Sequence, residues 1–148
     1  MNVTHLQENR ELAACKDELM MSLMGAAGAV ERRCEDALLR AGLSLAKFDA
    51  LSLLAKSTQA VSLGACAAGL ECARSNVTQL IDRLEAEGLV ERVEDPADRR
   101  SVCARITELG RKRQESGEEL LAQVRREFAQ ALSASDLVLL EHALEALL

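Results

Sequence analysis

The arrangement that most limits what this chain can fold into lies between Ser62 and Arg113. Within it, Val77, Leu80, Ile81 and Leu84 recur at i, i+3, i+4 and i+7. That spacing makes one apolar face on a helix, and the face must meet a core. The other side of the same helix is polar: Arg74, Ser75, Thr78, Gln79 and Arg83, with Asn76 beside them near its start. Gly88 is suited to end the helix in a left-handed cap. Ahead of it, residues 62–70 read as a short apolar helix followed by a tight turn. Behind it, residues 89–93 and 101–106 each suit a strand. The turn between them holds Asp95-Pro96, with the only proline of the chain, and the pair Arg99-Arg100. Helix, turn, helix and two-stranded wing is an order that sets a polar helix into a DNA major groove and a basic loop on the neighbouring backbone or minor groove. On this reading Ser75, Asn76, Thr78 and Gln79 reach base edges, while Arg74 and Arg83 take guanine edges or phosphates.

Further residues bring out a family resemblance. The wing reads Asp98-Arg99-Arg100, then a β run from 102 to 105, then Ile106-Thr107-Glu108-Leu109-Gly110. This resembles the Asp-x-Arg, β run and Leu-Thr-x-x-Gly of the MarR family of bacterial transcription regulators, with Ile in place of Leu. Upstream, residues 42–51 (Gly-Leu-Ser-Leu-Ala-Lys-Phe-Asp-Ala-Leu) resemble the opening of the family's second helix, with Phe48-Asp49 where Gln often stands. The resemblance runs along almost the whole chain and is most specific between about residues 70 and 110. It implies a mainly α fold with a small β wing: one MarR-type domain over residues 1–148. Residues 44–106 would form the winged helix-turn-helix lobe, and residues 1–40 and 107–148 the helical dimerisation region. The implied partners are double-stranded DNA carrying a pseudo-palindromic operator, a second copy of the chain, and a small-molecule effector of unknown identity. Asp98 is expected to orient Arg100 for the minor groove or a phosphate, with Arg99 adding backbone contact.

Composition agrees with a globular helical chain. Of 148 residues 49% are hydrophobic, yet Phe48 and Phe128 are the only aromatics, so the core must be Leu, Ala, Val and Met. No apolar run reaches membrane-spanning length and no signal peptide opens the chain, so a cytoplasmic protein without membrane contact is expected. The net charge of -6 is at odds with a DNA binder. It is unevenly spread, however: residues 62–113 hold nine Arg/Lys and nine Asp/Glu, so the acidic surplus lies outside the reading segment. Local potential, not the total, governs contact with DNA.

The flanks read as helices. Thr4-His5-Leu6-Gln7 offers a capping box for a first helix running to about Arg40, with Leu12, Leu19, Leu23, Ala26 and Val30 as its apolar stripe. Gly25 and Gly28 inside it each cost about 1 kcal/mol in propensity, and mark close packing or a kink. Ser44 caps a second helix, Thr107 a fifth, and Ser133-Ala134-Ser135-Asp136 a last one bearing Leu137, Leu140, Leu144 and Leu147. Such apolar termini would leave a large exposed patch on a monomer. The competing reading, a monomeric bundle core, loses ground once the wing is seen, because two-fold DNA readers pair their half-sites.

The five cysteines are Cys15, Cys34, Cys66, Cys72 and Cys103. None forms Cys-x-x-Cys, so metal and thioredoxin spacings are missing. Cys66 and Cys72 fall where a buried Leu and Val are wanted. Cys103 alternates with its strand neighbours and is expected to face outward with Arg105. Cys15, Cys34 and Cys103 are the redox candidates. The thiol position of the family's peroxide-sensing members falls at Met20, and the tyrosines expected near it are absent. An effector pocket is expected where Cys15, Leu19, Met20, Leu23 and Met24 face Phe48 and Leu51. His5 and His142 lie at opposite ends of the chain, and no catalytic triad, phosphate loop, metal set or cofactor motif is present. The chain is thus read as a non-enzymatic repressor released by a small molecule. The alternatives are a repressor released by cysteine oxidation and a winged-helix interaction module without DNA binding.

Overall fold

The computed structural model describes residues 3–94 and 102–147, with side chains from residue 17 onward. Six helices and three short strands follow one another among these residues: α1 (Val3–Leu39), α2 (Leu45–Ala55), β1 (Val61–Ser62), α3 (Leu63–Gly69), α4 (Arg74–Ala86), β2 (Val90–Glu94), β3 (Val102–Ile106), α5 (Glu108–Ala131) and α6 (Ala134–Glu145). The chain divides into two compact units, residues 1–34 and 35–148.

The first unit is helix alone. Leu19, Met20, Met21 and Met24 are each more than half exposed. Of the expected stripe, Leu19, Ala26 and Val30 are exposed and Leu23 is half-buried, while the side chain of Leu12 lies outside the described residues. α1 is continuous through Gly25 and Gly28, and a Cβ built at Gly25 would meet nothing within 4 Å. α1 already includes Val3, so Thr4 lies inside the helix rather than capping it.

The second unit owns the core. Leu38, Leu43, Leu51, Val77, Ile81, Leu84 and Leu89 are all buried to 1% exposure or less. These are the apolar positions of α1's last turns, α2 and α4, closed by the sheet and by α5. Local chemistry fixes the element ends. Ser44 caps α2 by accepting from Lys47 N, Thr107 caps α5 by accepting from Gly110 N, and Ser133 forms a reciprocal capping box with Asp136 on α6. Gly88, at φ +71, turns the chain out of α4 into β2.

The sheet is antiparallel with strand order β1-β3-β2. The sequence reading expected two strands; β1, only two residues long, is too short to show a period of two. It changes the fate of Cys103, which pairs with Ser62 on one side and Val93 on the other. β3 is thereby the middle strand, and Cys103 is 4% exposed rather than facing outward.

Candidate nucleic-acid interface

α3 starts at Ser62, whose hydroxyl oxygen accepts from Ala65 N at 3.1 Å. Cys66 and Ala67 bury its inner face. After α3 the chain reverses through Glu71, a non-glycine residue in the left-handed region at φ 50, and Cys72 N closes the turn on Ala67 O at 3.1 Å. α4 then presents two sharply different faces. Val77, Ile81 and Leu84 are buried. Arg74, Ser75, Asn76, Thr78, Gln79 and Arg83 are all exposed. The structure thus brings the six α4 candidates onto one solvent-facing surface.

Their side chains are differently committed. Arg74 lies over the first turn of α3: a Cβ on Gly64 would sit 2.6 Å from its Nη2. The Thr78 hydroxyl donates back to Arg74 O at 3.0 Å and keeps its lone pairs to accept. The side chains of Ser75, Asn76 and Gln79 make no hydrogen bond with other described residues, so their polar groups are unspent. No side chain caps the start of α4, where Ala73 is the N-cap; Asn76 N bonds back to Ala73 O at 3.0 Å, and the N–H groups of Arg74 and Ser75 have no partner among the described residues.

Four carboxylates near this face, Asp82, Glu85, Glu87 and Glu91, are answered from within the chain. Arg92 on β2 pairs with Asp82 at 2.5 Å and with Glu85 at 2.9 Å, and its backbone N donates to Glu85 Oε1 at 3.2 Å. Lys47 on α2 holds Glu87 at 2.5 Å, and Arg105 on β3 holds Glu91 across the strands at 2.8 Å. Arg74 and Arg83 keep their charge without a carboxylate partner among the described residues. A segment that is neutral by count is therefore cationic on its exposed helix face. The Arg92 bridge, which ties the wing's first strand to α4, was missed in the sequence. Asp82 and Glu85 at i, i+3, with a strand arginine just after the turn, were the available signal.

The root of the wing explains the Thr-x-x-Gly spacing. The Thr107 hydroxyl donates to Gly88 O at 2.8 Å and Leu89 O at 3.1 Å while accepting from Gly110 N at 3.0 Å. A Cβ on Gly110 would collide with Leu89 O and come within 2.8 Å of Ile106. One threonine and one glycine so lock β3, α5 and the end of α4 together. Asp98, Arg99 and Arg100 lie outside the described residues.

The other candidates divide. Phe48 and Leu51 are buried in the lobe, where Phe48 rests against the space that Gly117 leaves without a side chain. On α1, Leu19, Met20 and Met24 are exposed and Leu23 half-buried; the side chain of Cys15 lies outside the described residues. Cys34 is half-buried. Burial, and next the neighbouring Cys103 thiol, raise the Cys66 pKa, a backbone hydrogen bond partly opposing them. That thiol stays protonated at neutral pH, the unreactive state. A separate open cleft of about 470 Å³ lies between α2 and the turn before α4, lined by Asp49, Ser52, Leu53, Lys56, Gly69, Leu70 and Glu71. Burial, then the Glu35 carboxylate, raise the pKa of Asp49 at its edge. No cluster of three or more metal-ligating side chains occurs among the described residues, and no described helix is long and apolar enough to cross a membrane.

The sequence profile of the MarR family matches residues 41–101. No curated protein sequence matches the chain. Among solved structures, the transcriptional repressor CouR bound to a 23-mer DNA duplex is 25% identical, with a TM-score of 0.75 over 85% of this chain and 89% of that one. A cysteine-to-serine mutant of MarR from E. coli, complexed with operator DNA, is 23% identical, with a TM-score of 0.76 over 88% and 94%. CouR from Rhodococcus jostii RHA1 bound to p-coumaroyl-CoA is 24% identical, with a TM-score of 0.72 over 89% and 92%. The profile lies on the helix-turn-helix, and across most of its length the chain has the fold of the MarR-family transcriptional regulators.

Proposed function

We propose that the chain is a homodimeric repressor that reads a pseudo-palindromic operator and leaves it when a small-molecule effector binds. The observation that carries the DNA reading is the two-faced α4: an apolar face buried in the lobe, and an opposite face of unspent Ser75, Asn76 and Gln79 side chains between two arginines with no carboxylate partner among the described residues. Short polar side chains with free donors and acceptors are what major-groove edges require, and the uncapped helix start favours a phosphate. Arg74 and Arg83 serve as phosphate or guanine contacts. In the wing, Asp98 orients Arg100 while Arg99 touches backbone. This mode is supported by the two DNA-bound relatives, CouR and MarR. A second copy is supported by α6, none of whose side chains is buried, and by the uncovered apolar residues of α1. An effector is supported by the ligand-bound CouR. A ligand with about 100-fold preference for the non-binding spacing of the lobes supplies about 2.7 kcal/mol, enough to empty a marginally occupied operator.

The test is binding to the intergenic DNA beside the chain's own gene. The wild type should protect two half-sites about 10 bp apart between centres. Asn76→Ala with Gln79→Ala should lose about 2 kcal/mol or more per half-site and relax preference at the contacted positions. Unchanged operator affinity in the double variant sinks the assignment. Absence of any DNA binding in the wild type would favour the interaction-module reading instead.

A further inference from the structure

A cleft of about 290 Å³ opens between the turn after α1 and the first turns of α5. Arg40, Lys112 and Arg113 line it, and no carboxylate does. Leu109, Lys112, Arg113 and Ser116 fall at i, i+3, i+4 and i+7, so α5 contributes one continuous face. Arg113 is half-buried and fixed: its Nη1 donates to Ala41 O at 2.9 Å, leaving its other N–H groups to donate. Gly42 makes room for it. The backbone there has φ +68, and a Cβ would lie 2.5 Å from Arg113 Nη1.

Most of the charge in this cleft is uncompensated among the described residues. Neither Arg40 nor Arg113 has a carboxylate partner among the described residues. Lys112 reaches Glu108 at 3.7 Å, but the two side chains are 70% and 77% exposed, and such a pair holds little charge in place. Elsewhere in the same unit Lys47, Arg92, Arg105 and Arg125 are each paired with acidic side chains. In a chain of net charge -6, two arginines with no carboxylate partner among the described residues, beside a lysine held only by an exposed pair, call for an anion from outside.

We propose that this cleft binds a phosphate group. A fixed guanidinium fork matches tetrahedral oxygens, a second arginine and a lysine add charge, and the exposed Ser116 hydroxyl adds a donor. The place is distinct from the base-reading residues. A Cβ on Gly88, just past the end of α4, would lie 4.0 Å from Leu109, so the cleft adjoins the helix end opposite Ser75 and Asn76. The phosphate belongs either to a phosphorylated small molecule or to the backbone of bound DNA. The binding itself does not depend on the operator reading.

The test uses the full chain and the Arg40→Ala, Lys112→Ala double variant, whose exposed positions leave the fold intact as checked by thermal unfolding. Calorimetric titration with inorganic pyrophosphate at constant ionic strength should show binding to the wild type, weakened about tenfold or more in the variant. The salt dependence of binding to a random-sequence DNA duplex separates the sources. A log–log slope smaller by about one for each lost contact identifies a DNA phosphate. An unchanged slope with pyrophosphate binding lost identifies a free phosphorylated ligand. The proposal is overturned if the variant matches the wild type in both measurements. Pyrophosphate binding by a protein with no affinity for DNA would overturn the operator reading and leave this one standing.

Discussion

α4 and α6 are nearly the same length, 13 and 12 residues, and both carry apolar residues at helical spacing. Their fates differ. α4 buries Val77, Ile81 and Leu84 in its own lobe, while α6 buries none of its side chains, and Val138 and Leu139 stand at least 64% exposed. α4 is two-faced because its second face has another use: it is polar and open. α6 is apolar on sides that its own chain leaves bare, which is the pattern of a surface completed by another molecule. The difference teaches that burial within one chain separates a helix whose open face is polar from a helix whose open face is apolar.

The largest expected effect strikes that contrast at α6. Val138→Asp with Leu139→Asp removes two apolar side chains from each copy. At about 1.5 kcal/mol per side chain, counted four times in a two-fold dimer, the cost to association is about 6 kcal/mol. Analytical ultracentrifugation should find the variant monomeric and the wild type dimeric. Were the chain a monomer, both changes would fall on open surface, with effects within about 0.5 kcal/mol, and the contrast between the two helices would collapse.

Next in size is Gly110→Ala, which attacks the lobe's own packing. The added carbon collides with the Leu89 carbonyl oxygen and with Ile106, and backbone cannot step aside as a flexible side chain would. A loss of about 3 kcal/mol is expected in thermal or denaturant unfolding. Gly25→Ala in α1 is the control: its surroundings are open, and helix propensity should make it neutral or stabilising by up to about 1 kcal/mol. Equal losses at the two glycines would show that the Thr107–Gly110 lock is not what joins β3, α5 and the end of α4.

Much of this architecture was legible in the residues because the signals were local. Ser44, Thr107 and Ser133 sit where caps were expected, Gly88 has its positive φ, and the spacing from Val77 to Leu84 separated α4's two faces correctly. What was not legible required knowing which distant segments meet. β1 has no period to read, so the middle position of β3 and the inward direction of Cys103 could not be seen. The equal count of acids and bases in residues 62–113 hid a sorted surface, because Asp82, Glu85 and Glu91 find their cations only once the strands are paired. The clustered cations Arg40, Lys112 and Arg113 come from segments about seventy residues apart, joined by the Arg113 to Ala41 hydrogen bond.

The smallest predicted effect returns to the two helices at their first turns. α6 opens with a complete capping box, Ser133 Oγ accepting from Asp136 N at 3.2 Å. The Asp136 carboxyl is held below its usual pKa by hydrogen bonds from Ser133. α4 opens on Ala73 with no side-chain cap, although its φ of -63 and ψ of 142 are those of a capping residue. Ala73→Ser should therefore fold without strain and stabilise the lobe by about 1 kcal/mol. If those N–H groups are left open for a phosphate, the same change should weaken DNA binding while raising the melting temperature, because the new hydroxyl competes for them. A variant that melts higher and binds DNA as well as the wild type would show that the bare start of α4 has no part in recognition. It would place the burden of phosphate contact on Arg74, Arg83 and the wing.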